Sequence, residues 1–230
     1  MAAFFPEALD KFISPAFLGK VRRKFHYEDK QADEFRLVAK EMLSLMRKEA
    51  FWERKTAAMD NPRLAEESDS VYENVIMSLG RGLDCLQESY CERGLLSRSY
   101  MIEVLASELL LQGYNAYNLY IKRHTDFHVA KYHFLGSEDG FPLEILPRLL
   151  ENFTQEVSCN EAFCMIPKKS VAFVAELTRN EQIQCEGICV GCNNVYCQNR
   201  MEDSHSVRRK IVEMADMPLT YGYSRIFGKI

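Results

Sequence analysis

No stretch of this sequence stays apolar long enough to be a signal-peptide core or a membrane span. The most apolar part of the N-terminus, MAAFFPEALDKFISPAFLGKV, is interrupted by Glu7, Asp10 and Lys11. A secretory core needs about 7–15 unbroken apolar residues and a spanning helix about 20. The expectation is a cytoplasmic chain with no membrane partner. Surplus positive charge is also missing. Lys and Arg number 29 against 33 Asp and Glu, a net of −4, which lacks the electrostatic footprint of a nucleic-acid binder. Arg22-Arg23-Lys24 and Arg208-Arg209-Lys210 are short and read as solvated helix faces. Internal repeats and low-complexity tracts are absent. So are a phosphate-cradling glycine loop, a His-rich metal site and a nucleophile–base constellation. What remains is a globular composition, 47% hydrophobic and 27% charged over 230 residues, enough to bury a sizeable core.

Periodicity divides the chain into three parts. Residues 1–62 read as a helical N-terminal extension, with Leu37, Val38, Met42, Leu45 and Met46 at helical spacing,. Asn61-Pro62 closes it, and 63–70 is polar enough for a linker. Residues 70–180 form the core. A strand at Val75–Leu79 runs into the turn Gly80–Gly82, followed by a helix from Leu83 to Gly94. The strongest helix signal spans Ser97 to Arg123, its stripe including Met101, Val104, Leu105, Glu108, Leu109, Leu111 and Gln112,. A strand over 127–134, a loop at 136–140 and a helix from Pro142 to Phe153 come next. Two strands, Ala162–Ile166 and Val171–Leu177, flank a charged turn at Lys168-Lys169. Residues 181–230 hold a cysteine-rich loop and a helix over 204–215 capped by Ser204. Helices and strands do not alternate strictly, so the expected class is α+β, a twisted mixed or antiparallel sheet with packed helices.

Cysteine is concentrated in one place. Of eight, four lie in Cys185-x3-Cys189-x2-Cys192-x4-Cys197, with Gly187 and Gly191 between them. A reducing compartment argues against disulfides, and crowded thiolates suit a soft metal. Four of them can close a zinc site or hold an iron–sulfur cluster; spacing does not decide between these. The first three also match the spacing of radical S-adenosylmethionine enzymes, but too little chain follows Cys192 to build their barrel. Cys85, Cys91, Cys159 and Cys164 stand among apolar neighbours and read as small core residues.

Four segments fall in a telling order: VIMSLGRGLDCLQESY (75–90), SYMIEVLASELL (99–110), YHFLGSEDGFPLEILPRLL (132–150) and NEAFCMIPKKSVAFVAEL (160–177). Together they resemble the activation (reactivation) domain of cobalamin-dependent methionine synthase, in the stand-alone form found in anaerobic bacteria. The resemblance is strongest at Met165-x-Pro167-x-x-Ser170-Val171 and Phe141-Pro142-Leu143-Glu144, and it extends to the closing Cys197-x-x-Arg200. It implies an α+β module with a twisted antiparallel sheet that serves a corrinoid methyltransferase. Such a module would bind S-adenosylmethionine, meet cobalamin only through the partner protein, and receive an electron from a flavodoxin- or ferredoxin-like donor or through a cysteine-held centre. The family's ligand stretch is Arg-x-x-x-Gly-Tyr, with a glutamate on the preceding helix. Glu108 stands at that glutamate, His133 at the arginine, and Ser137-Glu138 at Gly-Tyr, beside Gly136. The resemblance thus implies Glu108, His133, Gly136, Ser137 and Glu138 as the ligand site, with histidine in place of a two-pronged guanidinium. The alternative is a zinc-stabilised interaction module that has kept the fold and lost S-adenosylmethionine.

Overall fold

A computed structural model describes residues 2–57, 71–137, 140–153, 157–183, 185, 187 and 188. The linker 63–70, Glu138, Cys189, Cys192, Cys197 and the helix expected at 204–215 lie outside them. Met1–Asn193 form one compact unit and Asn194–Ile230 a second; every described residue belongs to the first. No helix among the described residues is long and apolar enough to cross a membrane.

The class is α+β with an antiparallel sheet. Three helices open the chain after a two-residue strand, β1 (Ala2–Ala3): α1 (Pro6–Phe12), α2 (Pro15–Lys24) and α3 (Ala32–Glu49). Both α1 and α2 begin on proline, whose fixed φ suits the first turn. Ser14 caps α2 by accepting from the Phe17 amide at 3.2 Å,. Then come β2 (Phe51–Thr56), β3 (Val71–Ser78), α4 (Gly82–Glu92), α5 (Leu96–His124) and β4 (His128–His133). Next are a short 3-10 turn, α6 (Leu146–Glu151), the two-stranded ladder β5 (Ser158–Cys159) and β6 (Met165–Ile166), and β7 (Ser170–Thr178). The main sheet runs β1-β2-β3-β7-β4, antiparallel throughout.

The first 62 residues, expected as a helical extension, hold two of these strands. β2 pairs with β3 from Phe51↔Ser78 to Thr56↔Glu73, so this region is built into the sheet. Its helices α1, α2 and α3 share one apolar core with α5.

Period-2 alternation sends Val75 and Met77 of β3, with Phe173, Ala175 and Leu177 of β7, into the helical side of the sheet,. Tyr72, Ile76 and Val174 face the other side, under Phe141, Leu146, Leu149 and Leu150. β4 would break this alternation but for a bulge between Val129 and Lys131. The extra residue lets Val129 and Tyr132 both reach the helical side,. Helix α5 lies close on the sheet at Gly113. A Cβ there would stand 2.9 Å from Met77 Sδ and 3.2 Å from Phe4 Cζ, so glycine permits the approach.

Several expected details change. Pro142 does not open a single helix to Phe153; a 3-10 turn over Leu143–Ile145 precedes a shorter α6, because Pro147 takes the first turn of that helix. Cys85, Cys91 and Cys164 are exposed and Cys159 is half-buried. Cys85 falls on the outward side of α4, whose buried side chains are Leu83, Asp84 and Tyr90, and the Cys91 sulfur lies 3.1 Å from the Ser99 hydroxyl of α5.

Candidate functional site

Of the described members of the expected ligand set, Glu108 lies apart from His133, Gly136 and Ser137. Glu108 is 3% exposed on α5, and it points to α2. Its carboxylate accepts from Lys24 and lies 3.8 Å from Lys20. The basic run Arg22-Arg23-Lys24 is therefore more than a solvated face: its last residue neutralises a buried acid. Its nearest cations in the structure are thus the chain's own Lys24 and Lys20,.

His133 lies on the other side of the sheet. Its Cα is registered with Val174, and its ring stacks on Phe141 at 4.4 Å. Its Nε2 is 3.1 Å from the Glu176 carboxylate. Gly136 and Ser137 do join His133 in one neighbourhood. The Gly136 amide donates to the Phe141 carbonyl at 2.7 Å and the Ser137 amide to the Phe134 carbonyl at 3.0 Å. This closes the turn that lays Phe141 on the histidine. Gly136 needs its φ of +78° for that closure,. Glu138 lies outside the described residues. The chemistry here is a histidine–carboxylate pair beside aromatic rings, not a planar fork for a carboxylate ligand.

Of the four thiols expected to bind metal, Cys185 alone is described. It sits past the end of β7, half-buried against the main core. The Tyr132 hydroxyl is pushed well above its ordinary range by burial, with Cys185 and Tyr114 adding to the effect. A cleft of about 620 Å³ opens beside Cys185, lined also by Asn118, Asp126, His128 and Arg179. His128 Nε2 contacts the Ile183 carbonyl at 2.7 Å, which ties the segment leading to Cys185 onto β4. Arg179 lies over the Phe127 ring at 4.5 Å. Among the described residues no group of three or more His, Cys, Asp or Glu is placed to hold a metal. A four-thiolate set is nonetheless the donor chemistry that zinc and iron–sulfur clusters take.

Sequence reasoning missed a second polar cluster, at the turn between β6 and β7. Lys169, expected in a charged turn, is 7% exposed and donates to Glu103 on α5. Burial alone would raise the Glu103 carboxyl, but the Lys169 bond and charge outweigh it and hold the group below its usual range,. The Lys168 amide donates to Asp84 Oδ2 at 2.8 Å. These pairs join residues 66 and 84 positions apart, a distance that no local pattern reveals.

No family model matches the chain, and no curated protein matches it.

Proposed function

We propose that this chain is an accessory protein for the reductive reactivation of a cobalamin-dependent methyltransferase of the methionine synthase kind. On this reading it works by docking on the corrinoid-bearing partner and by its cysteine-held centre. One observation carries it. The four segments that resemble the activation domain lie in one packed unit, spanning the adjacent strands β3, β7 and β4 with α4 and the first half of α5. Bound by the four thiolates, an iron–sulfur cluster supplies one-electron chemistry, whereas zinc supplies only structure. The chain's own contribution is to hold the segment leading to Cys185, past the end of β7, against β4 through His128 and the Ile183 carbonyl.

A second reading, a zinc-stabilised interaction module without S-adenosylmethionine, is favoured by the separation of Glu108 from His133. The discriminating experiment is metal and sulfide analysis with a visible spectrum on protein purified without oxygen. About four irons with matching sulfide and a broad band near ~400 nm, lost in Cys192→Ser, support the redox role. One zinc and no colour sink it and leave the interaction module. Calorimetric titration with S-adenosylmethionine gives an independent check. Saturable binding abolished by both Glu108→Gln and His133→Ala would support the site implied by the resemblance.

A further inference from the structure

The groove between α1 and the C-terminal half of α5 is used by none of the chemistry above. Its α5 wall is one stripe at helical spacing: Gln112, Asn115, Ala116, Leu119, Tyr120 and Arg123,. The space measures about 530 Å³. Leu119, in the middle of the stripe, is 49% exposed. Tyr120 beside it is held from several sides. Trp52 meets it edge to face at 4.8 Å, His124 stacks on it at 4.2 Å, and the Arg54 guanidinium lies 5.5 Å from its ring. The apolar floor is thus fixed before any partner arrives, which lowers the ordering cost of binding.

The rim is net positive: Lys11, Lys20 and Arg123 line it with one acid, Glu7, on a chain whose net charge is −4, and Lys20 also stands 3.8 Å from Glu108. Glu7 is itself matched by Arg123 at 3.3 Å. We propose that this groove docks an acidic amphipathic helix of a partner protein. The helix would lay its i, i+3, i+4, i+7 apolar face on Leu119 and Tyr120 and turn its carboxylates to Lys11 and Arg123. The stripe from Gln112 to Arg123 runs about 16 Å at ~1.5 Å per residue, room for about three turns. This assignment does not depend on the cobalamin reading.

The test uses the full chain and two labelled helical peptides of about 18 residues with the same leucine face. One carries glutamate at the remaining positions, the other lysine, and binding is followed by fluorescence anisotropy. The acidic peptide binds, the basic one binds at least about tenfold more weakly, and added salt weakens the first. Leu119→Asp, and separately Lys11→Glu with Arg123→Glu, each lower the acidic peptide's affinity about tenfold or more while leaving circular dichroism and melting unchanged. Lys131→Glu, on the other side of the sheet, leaves it alone. Equal binding of both peptides, binding of neither, or acidic-peptide binding indifferent to these variants overturns the proposal. So does a concentration-dependent dimer abolished by Leu119→Asp, which would give the groove to a second copy of this chain.

Discussion

The two faces of the sheet are covered in different ways. On the helical face Phe173 is fully buried and meets the rings of Tyr114, Tyr117, Tyr132 and Phe134 at 4.9 to 6.4 Å. Glu73, one of the acids buried there, accepts from Tyr117 at 2.7 Å and from Arg54 at 2.5 Å. On the other face α6 and its flanking loops cover Ile76 and Val174. Ionisable side chains occupy much of the rest: His133 with Glu176, and Glu53 with Lys55 at 3.5 Å. Among the described residues the Glu53 Oε2 atom is buried there with no hydrogen-bond partner, as are Tyr27 Oη and Asp84 Oδ1 on the helical side,. The larger apolar cluster lies on the helical face, so most of the stability is expected from that side.

That contrast can be broken most directly by truncation. Phe173→Ala should cost about 3–5 kcal/mol in urea denaturation, and Phe153→Ala at the rim of the second face less than half as much. Equal costs would mean that the two faces carry the fold alike. Next in size is the charge pair buried between α2 and α5. Replacing both Lys20 and Lys24 with alanine strands Glu108 in the core, at a cost of about 3 kcal/mol. Glu108→Gln should cost about 1 kcal/mol, because Lys24 is 26% exposed and can turn to water,. A Glu108→Gln cost as large as that of the double variant would refute this asymmetry.

Alkali should also act on the helical face. Burial raises Tyr27 to about 12, with Tyr100 and Glu34 adding to it. Burial and the Glu41 hydrogen bond raise Tyr90 to about 12. Tyr117 and Tyr132 are pushed higher still, chiefly by burial. A tyrosine whose folded pKa exceeds its unfolded value holds its proton in the native state after the unfolded chain has lost it. Its contribution is complete below pH 10 and disappears as pH climbs toward 12,. Denaturation midpoints should stay level up to pH 10 and then fall, and the part of the ultraviolet phenolate absorbance that Tyr27→Phe and Tyr90→Phe remove should appear only as the protein unfolds. That part forming well below pH 12 in the folded protein would contradict this. The smallest effect is expected at the exposed pair Lys168–Glu88, 3.2 Å apart. Lys168→Ala should change stability by less than about 0.5 kcal/mol.

The parts legible in advance were those with an undisturbed period. β3 and α5 follow from alternation and from a long 3.6-residue stripe, and observed bounds of Val71–Ser78 and Leu96–His124 lie close to expectation. β2 was hidden because FWERKT follows α3 with only Ala50 between, and its charged half resembles more helix surface. Cys85 misled because its apolar neighbour Leu83 falls on the opposite side of the helix,. The spacing of the four cysteines was legible, but Cys189, Cys192 and Cys197 lie outside the described residues, and the separation of Glu108 from His133 was not legible from any local pattern. The resemblance gave those residues one role; the fold sets them on opposite sides of a sheet.

The place of β7 also sets a timetable for the growing polypeptide. β7 lies between β3 and β4, yet Ser170 is 92 residues beyond its partner Ser78. A nascent chain that has made β1 to β4 therefore has two strands whose shared neighbour does not yet exist. The backbone edge of β3, bearing Val75, Ile76 and Met77, stays open until β7 leaves the ribosome tunnel, an interval in which mispairing with another chain is easiest.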